Sequence, residues 1–148
     1  MRPSLLTAAA ICCALAGLAA STGTSSAAVC TLILGTSGTL ALAPDGKSMA
    51  SDAPGGLAAT VSVASVGGTS TVTVSAPTLT NSPTRYNAAS QQLLVSYFGI
   101  GSNTQAYTTA QTSFQTALTS IMTINNKIAN NAGFTSGFYA TTTTVTCS

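Results

Sequence analysis

The residue types that carry most catalytic chemistry are scarce in this chain. Its 148 residues contain no His, and its only acidic side chains are Asp45 and Asp52. A Ser or Thr nucleophile needs an adjacent base, and only Lys47 or Lys127 could supply one, neither of which lies in a Ser-x-x-Lys context. A His base or a pair of close carboxylates cannot be assembled from this inventory. The sequence therefore predicts no catalytic residues and a non-enzymatic protein.

Metal, cofactor and nucleic-acid sites are disfavoured on the same grounds. Calcium prefers six to eight clustered oxygen ligands, which two carboxylates seven residues apart cannot supply. The cysteines lack the His partners or the Cys-x-x-Cys spacing of a zinc site. A nucleic-acid groove needs a run of cations, whereas the four basic residues are scattered: Arg2, Lys47, Arg85 and Lys127. We expect no metal, no cofactor and no nucleic-acid partner.

One group of polar residues is a candidate contact patch. Arg85 and Tyr86 follow a Pro-containing turn, and Lys127 lies within a cluster of Asn residues. Amides, a cation and an aromatic ring are groups that can bind a sugar or a protein partner. The alternative interpretation is an ordinary solvated loop and strand face.

The N-terminal segment has the composition of a secretory signal peptide. A short basic start is followed by an apolar run over 5–20 and a small, polar stretch that ends in Ser26-x-Ala28. The apolar run is about 16 residues long, which is short for an uncleaved anchor that must span about 20. We therefore expect residues 1–28 to be removed and residues 29–148 to form a single domain. This domain would be secreted, periplasmic or on a bacterial cell surface, with no membrane segment after processing.

Two cysteines remain in the predicted mature chain, Cys30 near its start and Cys147 near its end. An exported protein meets an oxidising compartment, so we expect an intramolecular disulfide between them. Two buried free thiols or a bond between chains are the alternatives. An intramolecular bond requires the two Cα atoms to lie within about 7 Å. The first and last strands must then be neighbours, either in one sheet or across a sandwich.

The body of the chain alternates between apolar and polar residues with the period of a β-strand. Turns are marked by Pro44-Asp45-Gly46 and by Gly67-Gly68. We expect the segments on either side of Gly67-Gly68 to form a hairpin. The predicted strands are 29–34, 38–43, 47–51, 57–66, 69–76, 91–98, 105–109, 121–128 and 137–147.

The stretch from 105 to 120 is ambiguous. Ala106, Ala110, Phe114 and Leu118 recur at helical spacing, but the many Thr residues among them are poor helix formers. We interpret 105–109 as a strand and the remainder as a loop or short helix. The predicted fold class is therefore all-β: an antiparallel, immunoglobulin-like β-sandwich of about seven to eight strands, with at most one short helix. An up-and-down barrel is the alternative.

The C-terminal third resembles the end of spore coat U-like and other pilin-like small secreted bacterial proteins. The likeness rests on the strand 123–128 with its basic Lys127, on Gly137-Phe138-Tyr139, and on the Thr-rich last strand 141–146. Gly38-Thr39-Leu40 and Pro44-Asp45-Gly46 after the first cysteine also fit such domains. The resemblance implies a secreted structural subunit of a bacterial surface fibre or coat, assembled by strand donation between subunits.

Two further expectations concern partners. The resemblance implies an envelope chaperone and usher, or other surface subunits, as partners. Polymerising members of these families carry an alternating apolar donor segment ahead of the first strand, whereas residues 21–28 are small and polar. Self-assembly through this segment is therefore not expected. The alternative function is that of a monomeric extracellular adhesin module that binds a glycan or a protein.

Overall fold

The computed structural model describes residues 28–99 and 103–148, so the predicted signal peptide lies outside the described residues except for Ala28. Every regular element in these ranges is a β-strand. The strands are β1 (Val29–Leu34), β2 (Ala41–Leu42), β3 (Ser48–Ala50), β4 (Ala59–Val66), β5 (Ser70–Val74), β6 (Thr78–Asn81), β7 (Gln91–Gly99), β8 (Thr104–Thr108), β9 (Thr112–Thr116), β10 (Ser120–Asn130), β11 (Ala140–Thr142) and β12 (Val145–Cys147).

The strands form two facing layers in which every pairing is antiparallel. The first sheet runs β1-β4-β10-β7-β8, and β3 and β2 continue it beside the C-terminal half of β10. The second layer contains the sheet β12-β5-β9 and a separate short ladder of β11 with β6. This arrangement confirms the prediction of an all-β antiparallel sandwich.

The core lies between β4, β10 and β7 of the first sheet and β5 of the second. Its fully buried side chains are apolar and come from alternate positions of these strands: Val63, Val72, Val74, Val95 and Met122. The period-two pattern of the sequence therefore predicted which face of each of these strands is buried.

A disulfide joins Cys30 on β1 to Cys147 on β12, with the two Cα atoms 5.9 Å apart. This confirms the predicted intramolecular pairing. Because β1 and β12 belong to different layers, the bond crosses the sandwich and ties the first strand to the last.

The hairpin predicted around Gly67-Gly68 is wrong. The strands before and after this turn, β4 and β5, share no ladder and lie in opposite layers. Both strands carry an apolar face of valines, so they bury more surface by packing face to face across the core than by pairing side by side. Ser65 on β4 and Ser70 on β5 join the two layers beside the turn through a 2.7 Å hydrogen bond between their buried hydroxyls.

Three other predictions need correction. The segment after 109 was interpreted as a loop or short helix, but it contains the strand β9. Phe114 packs against the core because it lies on the inward face of this strand, not on one face of a helix. The last strand is interrupted between β11 and β12. An additional strand, β6, follows Pro77, where the sequence was interpreted as the end of the unit. Within residues 28–99 and 103–148 we find no helix of the length and apolarity needed to cross a membrane.

Candidate functional site

A groove with a volume of about 610 Å³ opens between the two layers on the side where the second sheet ends at β12. One wall is the segment that follows β1, and the other wall is the chain from 137 to 145. The inner face of the first sheet forms the floor. The first and last parts of the sequence therefore build the two sides of one site.

The floor of the groove is mostly apolar. It is formed by Ala59 and Val61 from β4, Ile124 from β10 and Met49 from β3. Val61 and Ile124 also belong to the buried core cluster, so the core reaches the bottom of the groove without an intervening layer. A ligand in the groove would bury additional apolar surface, which is favourable at about 25 cal/mol per Å².

The first wall presents backbone groups to the groove. Thr39 exchanges two backbone hydrogen bonds with Leu57, at 2.8 and 3.0 Å, and Leu57 does not line the groove. In extended chain, neighbouring residues direct their N–H and C=O groups to opposite sides. The backbone groups of Gly38 and Leu40 therefore point away from Leu57, and both residues line the groove. A side chain at Gly38 would collide with the carbonyl of Leu57, 2.8 Å from its Cβ position, so this wall needs glycine there.

The second wall has the same property. Thr71 and Ser148 exchange two backbone hydrogen bonds, at 2.7 and 3.0 Å, and the Ser75 amide donates to the carbonyl of Thr144 at 2.9 Å. These bonds fix the phase of the last strand. The backbone groups of Thr143 and Val145, which lie between the bonded positions, point away from β5 and toward the groove. No strand in the described ranges pairs with β12 on that side.

Asn126 connects the floor to the second wall. Its amide nitrogen donates to Thr141 Oγ1 at 3.1 Å, and its carbonyl oxygen accepts from Thr143 Oγ1 at 2.8 Å. Its backbone amide donates to Ser51 Oγ at 3.1 Å. These bonds hold the last strand at a fixed position above β10 and keep the groove open at this point.

An aromatic cluster closes one end of the groove. The ring of Tyr139 packs edge-on against Tyr86 at 5.0 Å and against Phe134 at 5.4 Å between centroids. The Tyr139 hydroxyl donates to the Thr135 carbonyl at 2.9 Å. This cluster fixes the turn that leads into the last strand, and it leaves Phe138 exposed at the mouth of the groove.

The two polar parts of the predicted contact patch have different neighbours. Arg85 lies at a second, shallower cavity of about 450 Å³, which it shares with Pro83, Thr84, Thr135 and Ser136. Lys127 lies on the outer face of the first sheet, where its Nζ is 5.6 Å from the centroid of the Tyr107 ring. Tyr86, the third member, uses its ring in the aromatic cluster. The structure thus places Arg85 and Tyr86 on one loop and Lys127 on a separate surface.

Among the residues of the described chain, few ionisable groups have a shifted pKa. Burial raises the pKa of the Tyr107 hydroxyl, and the neighbouring Asp52 carboxyl raises it further. The Lys47 amide, which donates to Asp45 Oδ1 at 2.9 Å, lowers the pKa of that carboxyl. Asp45 therefore uses its charge to close the turn between β2 and β3, as the Pro-Asp-Gly signal predicted. Across residues 28–99 and 103–148, no three His, Cys, Asp or Glu side chains cluster as a metal site would require.

No family model, no curated protein and no solved structure matches this chain. The groove is thus the main guide to function. It combines an apolar floor with two walls, and each wall has backbone N–H and C=O groups that no strand of the described ranges pairs with. An extended segment is the ligand that can pair with both walls and fill the floor with alternate side chains.

The residues that make the groove were not singled out as a site by the sequence. Leu40, Val61, Ile124 and Val145 were assigned to strands, because alternation alone identifies which side chains face inward. Whether an inward face is covered by another strand depends on contacts between distant segments.

Proposed function

We propose that this chain is a secreted, non-enzymatic structural subunit of a bacterial surface fibre or coat, and that its groove accepts a strand from another subunit. The observation that supports this proposal is the pair of open backbone edges, at Leu40 and at Val145, over a shared apolar floor. Within the described ranges β12 pairs with β5 on one side, and no strand pairs with it on the other side. A donated strand would supply this missing neighbour.

The donated strand should be uncharged and should alternate apolar with polar residues. The floor has no charged side chain, and a charge placed on it would lose its hydration without gaining a partner. Residues 21–28 are small and polar, so we propose that a different subunit supplies the strand. An envelope chaperone that fills the groove before assembly, with an usher at the outer membrane, would be the corresponding partners.

The test is to isolate the protein from the surface of cells that express it and examine it by electron microscopy and size exclusion. We expect fibres or ladders of discrete oligomers. Phe138→Lys, at the mouth of the groove, should abolish them while leaving the melting temperature nearly unchanged. Leu118→Lys is the matched control, since Leu118 is 75% exposed and Phe138 is 71% exposed, but Leu118 does not line the groove. Equal assembly of both variants would contradict a role for the groove.

A second candidate function is a monomeric adhesin module, and the cavity beside Arg85 favours it. The cavity combines one guanidinium with hydroxyls from Thr84, Thr135 and Ser136, which are groups that bind acidic or hydroxyl-rich ligands. A clean monomer with saturable glycan binding that Arg85→Gln abolishes would favour this function over the structural one.

A further inference from the structure

The first strand of the chain forms an edge of the first sheet. Within the described ranges β1 pairs only with β4. The Gly35 amide donates to the Thr60 carbonyl at 2.8 Å, and this bond fixes the phase of the ladder. Ile33 and Thr31, at even spacing from Gly35, therefore direct their backbone groups toward β4. Cys30, Leu32 and Leu34 direct theirs away from the sheet, where a further strand would lie.

This edge lacks the features that normally prevent pairing. Natural sheet edges carry Lys, other charged residues or Pro, which disfavour the approach of another strand. The segment 28–43 contains no charged residue and no Pro. Val29, Ile33 and Leu34 are instead large, apolar and exposed. An edge of this composition is stabilised when a second strand pairs with it.

The outer face of the sheet continues the apolar surface inward from the edge. Ile33 is aligned with Ser62 on β4, which is aligned with Ile121 on β10. Val29 is aligned with Val66 on β4. Val29, Ile33, Val66 and Ile121 are all exposed. A strand added at β1 would bury the part of this surface next to the edge, at Val29 and Ile33, in addition to satisfying the backbone, whereas Ile121 lies two strands away.

We propose that two copies of this chain associate through β1, antiparallel and related by a two-fold axis at Leu32. With Leu32 opposite Leu32 of the second copy, Cys30 comes opposite Leu34, and both backbone groups of all three residues gain partners. A shift of the register by two residues places either Cys30 opposite Thr36, whose carbonyl already accepts from the Thr60 amide, or Leu34 opposite Ala28, which precedes β1. Two identical edges satisfy each other because antiparallel pairing about a two-fold axis is self-complementary.

A second copy of this chain fits the β1 edge better than a strand that carries several charges. Nothing on β1 or on the adjacent strand β4 is charged, so the edge offers no ion pair to select a charged partner and no repulsion against itself. In the proposed register Thr31 faces Ile33 of the second copy on the outer side. Thr31 and Ile33 do not line the groove, whereas Leu34, whose backbone pairs in this register, does. A strand in the groove and a second copy at β1 would therefore meet at Leu34, and a substitution at Ile33 tests the dimer separately from the proposed function.

Sedimentation velocity of the purified, oxidised protein over a range of concentrations tests the proposal. We expect the wild type to form dimers and Ile33→Lys to weaken dimerisation at least tenfold, because it places two like charges across the axis. The matched control is Ile121→Lys. Both isoleucines lie on the outer face and are largely exposed, at 62% and 51%, but Ile121 is separated from the edge by β4. The melting temperature of each variant checks that it is folded.

The proposed register is tested by a Thr31→Cys, Ile33→Cys double variant. These positions form a non-hydrogen-bonded cross-strand pair in the dimer, at about 4.5 Å between Cα atoms, which is within the range for a disulfide. We expect an intermolecular bond between 31 and 33, identified by mass spectrometry of the linked peptides.

Three results would overturn the proposal. The first is a wild type that is monomeric, and the second is dimerisation that survives Ile33→Lys. The third is an equal loss of dimerisation in Ile33→Lys and Ile121→Lys, which would indicate that two copies stack through the outer faces of their first sheets. Phe138→Lys should leave the dimer intact. If it removes the dimer instead, the association runs through the groove, and the edge pairing is wrong while the proposed function stands.

Discussion

The two halves of the core differ in what covers them. Around Val72 and Val95 the sandwich is closed, because β5 lies over β7 and β10 and is flanked by β9 on one side and β12 on the other. Ile124 is also buried, but the groove reaches it from the side where no strand of the described chain continues the second sheet past β12. The same alternating pattern of residues builds both halves. The difference lies in the number of strands in the second layer, and it separates the part of the molecule that provides stability from the part that can bind.

The largest expected effect is that of a charge in the closed half. Val95→Asp should prevent folding, because Val95 is fully buried and an unpaired carboxylate there costs several kcal/mol. Phe138→Asp is the counterpart in the open half and should change stability by less than about 0.5 kcal/mol. Circular dichroism of the purified variants measures both. Similar loss of structure in both variants would remove the distinction between the halves.

The disulfide should account for the next largest effect. It closes a loop with a sequence separation of 117 residues, for which the chain-entropy model gives about 4–5 kcal/mol. Cys147→Ser should lower the free energy of unfolding by an amount of this order, measured in urea. The stability of the wild type should fall when reductant is added, and that of the variant should not. A melting temperature unchanged from that of the wild type would contradict a stabilising bridge.

Asn126 joins the two halves and should have an intermediate effect. Asn126→Ala removes two side-chain hydrogen bonds to the last strand, at about 1 kcal/mol each. We expect a loss of about 1–2 kcal/mol in urea denaturation and faster hydrogen exchange of the Thr144 amide, which donates to Ser75 Oγ in the folded chain. Thr146→Ala, on the exposed side of the same strand, is the control. An equal loss in both variants would mean that Asn126 does not hold the wall.

The smallest effect concerns high pH. The pKa of Tyr107 is raised in the folded chain, whereas the unfolded chain has a tyrosine pKa of about 10. Its contribution to stability is therefore fully present below about pH 10 and is lost as the pH rises from there toward the folded pKa. Melting temperatures above pH 10 should fall less steeply in Tyr107→Phe than in the wild type. Identical slopes would indicate that this hydroxyl ionises freely.

The sequence predicted much of the fold because its signals are local. The alternation of apolar and polar residues predicted which face of β4, β5 and β7 is buried. The positions of Cys30 and Cys147 predicted the disulfide. The strand β9 was missed because Phe114 and its neighbouring alanines fit a helical spacing as well as an alternating one. Intrinsic propensity could not separate the two, and pairing with β5 decided the outcome.

Two other features depend on contacts that no local pattern encodes. The turn at Gly67-Gly68 is compatible with a hairpin and with a crossing between layers, and the choice depends on packing of Val63 and Val72 in the common core. The groove depends on which strands flank β12. Residues 37–40 and 137–145 meet there only after the whole chain has folded, so the candidate site could not be located before the topology was known.

Hydrogen exchange at the open edge tests the central claim most directly. We predict that the amides of Thr143 and Val145 exchange rapidly in the isolated protein and slowly in native surface assemblies, while the amides of Val72 and Val74 exchange slowly in both. Slow exchange at Val145 in the isolated protein, or equally rapid exchange in the assemblies, would contradict a groove that receives a strand from another subunit.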